Sequence, residues 1–211
     1  MDATAYDQVR YPTSAHPDTL PSRFAALAHL YGRPFAPMGR ARMLEVGCGD
    51  GGNLLSLAAI APGAQLEGFD LAEEPVADGR ALAEAAGLGN VRLYAGDILD
   101  PSVTEGPFDY IIAHGVYAWV PEPVREALMA LIARTLSPEG IAFVSYNVMP
   151  GCGLRVAISQ ILRAHVAAIE APGARLEEAR AFLAWLETQW AEGTPHQRAL
   201  AAQARTMLER P

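Results

Sequence analysis

MLEVGCGDGGN, Met43 to Asn53, decides how this chain is read. An apolar run gives way to glycines at positions 47, 49, 51 and 52. Glycine is concentrated in this way where the backbone must turn sharply or where something must come close to it. Two patterns overlap here. Gly47, Gly49 and Gly52 fit G-x-G-x-x-G, a dinucleotide fingerprint. Gly47, Gly49 and Gly51 fit acid-x-G-x-G-x-G, with Glu45 leading. A strand before the glycines and a helix after them would set backbone N–H groups and the positive end of a helix dipole beside the loop, which suits an anionic group. In a dinucleotide that group is pyrophosphate, and in another cofactor it is a carboxylate. The flanking residues have to choose.

Outward from the loop the chain alternates. RMLEVG reads as a strand and GNLLSLAAIAP as a helix that stops at Pro62. AQLEGFD is a second strand ending in Asp70, followed by a helix, LAEEPVADGRALAEAAGLG, closed by Gly87 or Gly89. VRLYAGD is a third strand, and FDYIIAHG, Phe108 to Gly115, a fourth. EPVREALMALIARTLSPEG reads as a helix with Pro123 near its start and Gly140 past its end, and IAFVSYN as a fifth strand. Strands alternating with helices at these lengths predict an α/β fold with a doubly wound parallel sheet. The near-continuous apolar strands fit a sheet covered on both faces. Before the sheet, Pro-punctuated coil leads to a helix from about Pro21 to Tyr31. After Asn147 the rhythm stops, and three helical segments follow. The expected division is an N-terminal coil and helix lid segment over 1–38, a cofactor-binding domain over 39–153, and a helical extension over 154–211 that begins a dimerisation or regulatory element.

The 211 residues are 51% hydrophobic and 19% charged, as a packed globular protein is. A net charge of −8 speaks against a general nucleic-acid binder. There is no lysine, so all 16 basic residues are arginine and the chain cannot modify a lysine of its own. Two cysteines, Cys48 and Cys152, are too few for a disulfide scaffold and read as free thiols in a reducing compartment. The first residues, MDATAYDQVRYP, do not look like a signal peptide, and the apolar runs are short of a membrane span. A soluble, cytoplasmic protein is expected. The five histidines show no metal-ligand spacing, and no nucleophile triad is evident.

The acids around the loop carry the choice of ligand. Asp70 lies 23 positions after Gly47, near the spacing at which a carboxylate reaches a ribose diol. It would alternatively cap the helix that follows. Glu45, at the end of the first strand, would repel a pyrophosphate but would hold an α-ammonium. Asp97 and Ile98 follow the third strand, placed to bind an adenine amino group and flank its ring. The end of FDYIIAHG would lie beside the reactive end of the cofactor.

LEVGCGDGGN, GFDLAEE, GDILD, FDYIIAHGVYAWVP and LSPEGIAFVSYNVMPG together resemble a class I S-adenosylmethionine-dependent methyltransferase, over roughly residues 40 to 151. YDQVRYPTSAHPDTL, GCGDGGNLL, IIAHGVYAWVP and SYNVMPG resemble a narrower bacterial group that joins such a domain to a methyltransferase regulatory domain and includes protein-lysine methyltransferases. The resemblance implies a Rossmann-like sheet of order 3-2-1-4-5. It implies S-adenosyl-L-methionine as cofactor, with Glu45, Gly47, Gly49 and Asn53 bordering the methionine portion. Asp70 would hold the ribose with Leu71 beside the adenine, Asp97 and Ile98 would hold the adenine, and His114 would stand near the sulfonium. It implies methyl transfer to an N or O nucleophile, a protein lysine or a small molecule. A nicotinamide-dependent oxidoreductase, or a non-catalytic cofactor-binding subunit, is the alternative.

His114, Tyr117, Tyr146 and Asn147 are the expected catalytic residues, since ligands bind outside the carboxyl ends of strands in such a sheet. The competing readings are plain packing for Tyr117 and Trp119, and turn chemistry for Tyr146 and Asn147. Tyr6, Tyr11 and His16 are candidates for a lid. Two departures stand out. The narrower group usually follows SYN…PG with Trp and a polar residue, where Cys152 and Gly153 stand here. Two final strands of the fold are also missing, so IAFVSYN is expected to be covered by a second copy or by a C-terminal region beyond Pro211.

Overall fold

The computed structural model describes residues 14–209, so Tyr6 and Tyr11 lie outside the described residues. One compact unit ends at Tyr146 and a second begins at Asn147.

The first unit is built on a parallel sheet of β1 (Arg42–Val46), β2 (Gln65–Asp70), β3 (Val91–Ala95), β4 (Phe108–Ala113) and β5 (Leu136–Val144), in the order β3-β2-β1-β4-β5. The strand order is the one the resemblance implies. Successive side chains of a strand face opposite ways. Met43 therefore enters one core cluster with Leu54, Leu66 and Tyr110, while its neighbour Leu44 enters the other with Phe69, Ile111 and Leu128. A strand that feeds two cores needs apolar side chains on both faces, and each such buried side chain contributes about 1.5–3 kcal/mol.

Helices α1 (Pro21–Leu30), α2 (Gly52–Ile60), α3 (Glu73–Ala85) and α4 (Glu122–Thr135) complete this unit. α1 starts with Pro21 at its first position, where a missing N–H costs nothing. It is held to the sheet through Phe24, whose ring stacks 5.5 Å from Phe143. α3 closes at Gly87 rather than Gly89: Leu88 N–H donates back to Ala83 O at 3.0 Å, around a left-handed Gly87.

α4 ends earlier than its sequence suggests. Thr135 is its last residue, and β5 starts at Leu136 with a register shift before the regular pairing of Tyr110 with Ile141. Pro138 disfavours helix at Ser137, so LSPEG leaves the helix and forms the irregular lead-in to the strand. β5 has β4 on one side and no strand on the other among the described residues. Ile141 to Val144 remain only half-buried, and a groove of about 670 Å³, lined by Phe24, Leu27, Ile141 and Phe143 among others, runs between this strand and α1.

The second unit holds α5 (Gly153–His165), α6 (Pro172–Trp190) and α7 (Pro195–Leu208) around Ile158, Leu183, Leu200 and Ala204. α7 opens with a reciprocal cap: Thr194 N–H donates to Gln197 Oε1 at 2.8 Å, and Gln197 N–H donates to Thr194 Oγ1. The apolar stripe of α6 is split. Leu183 and Leu186 are buried, whereas Trp185 is exposed and Phe182 stacks on His165 with ring centroids 3.7 Å apart.

Candidate functional site

Gly47, Gly49 and Gly51 all adopt left-handed φ, whereas Gly52 is simply the first residue of α2. Gly47 and Gly49 are common to both patterns, and the third left-handed position is Gly51 of the acid-led pattern, not Gly52 of the dinucleotide pattern. At Gly47 a side chain is excluded twice over: φ is +72°, and a Cβ would sit 2.5 Å from Val116 Cγ2. The loop's N–H groups are turned onto neighbours at the carboxyl ends of the strands. Gly47 N–H and Cys48 N–H donate to Phe69 O at 2.9 and 3.1 Å.

Asp70 is occupied by backbone. Its Oδ2 accepts from Gly49 N–H at 2.9 Å and its Oδ1 from Ala72 N–H at 3.0 Å. The carboxylate thus braces the glycine loop and shapes the entry to α3. Each oxygen keeps a second lone pair, which is the capacity a vicinal diol needs. Leu71, next to it, is exposed. Asp97 accepts Leu99 N–H on Oδ1 at 2.9 Å, while Ile98 packs partly into the second core.

Glu45 is the anomaly of the site. It is 4% exposed, at the end of β1. Oε1 accepts from Asn53 Nδ2 at 2.9 Å, and Oε2 is buried with no hydrogen-bond partner. Burial pushes its carboxyl up to about 7, against the opposing effect of the Asn53 bond. A buried acceptor without a donor is expensive, so an ammonium group brought to Oε2 would restore the charged form. The acceptors around the loop suit an amino-acid nucleoside: one acid would face the ammonium, one the ribose and one the adenine amine.

Asn53 is itself buried and does more than border this space. Its Oδ1 accepts His16 N–H at 2.9 Å and lies 3.2 Å from the Thr19 hydroxyl. Thr19 was not legible as a site residue, because contacts across 34 positions leave no periodic trace in the sequence. At the end of β4, His114 is sandwiched between His16, with centroids 4.0 Å apart, and Phe143 at 6.1 Å. Burial, then the neighbouring His16, lowers the His114 pKa, and Asp18 opposes them. Tyr117 packs against the second core and lies 5.9 Å from the exposed ring of Tyr146. Asn147 is exposed and is the first residue of the second unit. Trp119 is also exposed.

Cys48 sits within the loop, almost fully buried, with its Sγ 3.7 Å from Gly49 O. Burial pushes its thiol up, and the charges of Glu45, Asp70 and Asp50 add to the effect. No group of three or more His, Cys, Asp or Glu side chains arranged to hold a metal ion occurs among the described residues.

The family described as a methyltransferase domain matches residues 43–140. The uncharacterised protein RP028 of Rickettsia prowazekii is 34% identical over 182 residues, which are 86% of this chain and 73% of that protein. The structure of PKMT2 from Rickettsia typhi in complex with AdoHcy superposes with a TM-score of 0.80 at 32% identity, covering 93% of this chain and 38% of PKMT2. The chain belongs to the class I S-adenosylmethionine-dependent methyltransferases. Within that family, the nocamycin O-methyltransferase of Saccharothrix syringae is 38% identical over 99 residues, 46% of this chain and 35% of that enzyme. The methyltransferase's cofactor is S-adenosyl-L-methionine, and the buried, unpartnered Glu45 oxygen is the feature of this chain that suits it and not a pyrophosphate. The chain spans a little over a third of PKMT2, and no helix among the described residues is long and apolar enough to cross a membrane.

Proposed function

We propose that this methyltransferase transfers a methyl group to an amine, a protein lysine, in the cytoplasm. The observation that carries the amino-acid nucleoside site is Glu45, buried beside the glycine loop with one oxygen free. Glu45 takes the ammonium, with Gly47, Gly49 and Asn53 around the methionine portion. Asp70 takes the ribose with Leu71 alongside, and Asp97 and Ile98 take the adenine. Bound S-adenosylmethionine supplies an electrophilic methyl group on a sulfonium. The residues of the chain hold the acceptor in line with it, a geometric contribution of up to ~7–11 kcal/mol.

A lysine amine has a free pKa near ~10.4, so reaching the neutral amine costs about 4 kcal/mol at neutral pH. A desolvating aromatic wall lowers that cost. Tyr117 and Tyr146 supply such a wall. His114, at the end of β4, is the residue that receives the proton the amine gives up, against the burial and the neighbouring His16 that weaken it as a base. The lysine reading is supported by the motifs shared with the protein-lysine methyltransferase group. The two free thiols support a reducing, cytoplasmic setting.

The unpaired edge of β5 supports a further part of the reading: a second copy, or a C-terminal region, covers it. A monomeric solution mass together with a native intact mass of 22.5 kDa would defeat both versions. For the reaction, the purified chain is incubated with methyl-labelled cofactor and a cell extract. Label on lysine is the expected result. Label only on hydroxyl or carboxyl groups would overturn the choice of acceptor, and stabilisation by NADH but not by S-adenosylhomocysteine would overturn the choice of cofactor.

A further inference from the structure

Asn53 stands between two parts of the molecule that the reaction needs at once. On one side its Nδ2 donates to Glu45 Oε1 at 2.9 Å. On the other its Oδ1 accepts the His16 N–H at 2.9 Å. The amide has one workable orientation: turned over, it would set its NH2 against the His16 N–H and its oxygen against a carboxylate. An aspartate would place a second carboxylate against Glu45. Asparagine is therefore matched to both neighbours by chemistry and not only by size.

The segment it holds, His16 to Thr19, is a strap with a second attachment. Thr19 is fully buried, and its hydroxyl lies 2.9 Å from His16 O and 3.2 Å from Asn53 Oδ1. One hydroxyl proton serves one acceptor at a time, so the His16 amide is the firm tie to Asn53. The His16 ring then stacks on His114 at 4.0 Å. The strap thus touches the Glu45 end through its backbone and the His114 end through a ring.

We propose that Asn53 is a positioning residue that couples the cation site at Glu45 to the His16–Thr19 strap, so that cofactor and strap order each other. This rests on the cofactor reading given above. A cation at Glu45 Oε2 holds the carboxylate ionised, and the Asn53 Nδ2 bond becomes charge-assisted. Polarised in this way, the amide oxygen is a stronger acceptor for His16 N–H. Coupling between two sites is reciprocal, so a closed strap tightens the cofactor by the same factor.

Hydrogen exchange of the peptide spanning residues 14–20, with and without S-adenosylhomocysteine, tests this in the full chain. In the wild type the ligand should slow exchange in the strap at least about fivefold. In Asn53→Ala the strap should exchange fast with or without ligand, and affinity should fall by a similar factor. The pH midpoint of binding should also move upward, because the bond that favours ionised Glu45 is gone. A merely structural role would not move that midpoint. Thr19→Val keeps Asn53 and Glu45, and should loosen the strap and weaken binding about twofold to tenfold. Should Asn53→Ala fail to fold, Thr19→Val decides. Ligand binding to the wild type with no change at the strap, or unchanged affinity in the variants, would overturn the proposal. No binding of S-adenosylhomocysteine to the wild type would overturn the cofactor reading, and the proposal with it.

Discussion

Lowering the pH from about 7.5 to about 6.0 should weaken S-adenosylhomocysteine binding about eightfold through Glu45 alone. In the ligand-free protein, burial holds this carboxyl at about 7, against its ordinary 4.5. An ammonium at Oε2 favours the charged form and returns it toward the ordinary value. Binding therefore releases a proton wherever free Glu45 is protonated. About three-quarters of free Glu45 is ionised at the higher pH and about one-tenth at the lower, and the ratio gives the factor. Isothermal titration in buffers of different ionisation enthalpy reads both affinity and proton release. Glu45→Gln should bind more weakly by about 1.5–3 kcal/mol and lose the pH dependence. The same residue acts on folding. Its folded pKa lies above the unfolded one, so its contribution is fully present below 4.5 and lost as pH rises through 7. The loss is about 3 kcal/mol at most, and ligand-free Glu45→Gln should be more stable than wild type at alkaline pH. Affinity that stays level across this range, with no proton released, would refute the argument that Glu45 receives the ammonium.

Asp70→Ala removes acceptors from Gly49 N–H and Ala72 N–H as well as from the ribose; the dissociation constant should rise by the equivalent of about 1.5–3 kcal/mol, and an unchanged constant would remove Asp70 from the site. Gly47→Ala must adopt a φ near +72° against Val116, so thermal unfolding should begin several degrees lower, at about 2–4 °C for each kcal/mol lost. Under native conditions a thiol reagent should label Cys152 and leave Cys48 unreacted, with both labelled in denaturant; fast native labelling of Cys48 would contradict its burial.

The sheet was legible because its strands carry apolar runs that supply cores on two faces, and because prolines and glycines mark the joints. The end of α4 differs from the sequence expectation: the 3.6-residue pattern reaches Leu136, but Pro138 takes the backbone out of the helix before it. The sequence does mark Glu45, Asp70 and Asp97 as acids at or just past the carboxyl ends of strands. Their duties were less legible. Asp70 was read as a ribose ligand or as a cap, and its carboxylate in fact binds the loop and the turn before α3, with lone pairs to spare. Gly52 matched a fingerprint by spacing, and only the backbone angles separate it from Gly51. Thr19 and the tie from His16 to Asn53 had no signal, since hydrogen bonds between distant residues follow no period.

Cys48 gives the site a property that its neighbours do not. An alkylating sulfonium is to be kept within a loop that contains sulfur, the softest nucleophile a protein owns. Only the thiolate attacks at a useful rate. Burial, together with Glu45, Asp70 and Asp50, keeps that proton in place far above physiological pH. The enzyme is thereby insulated from methylating itself at the point where it holds the reagent.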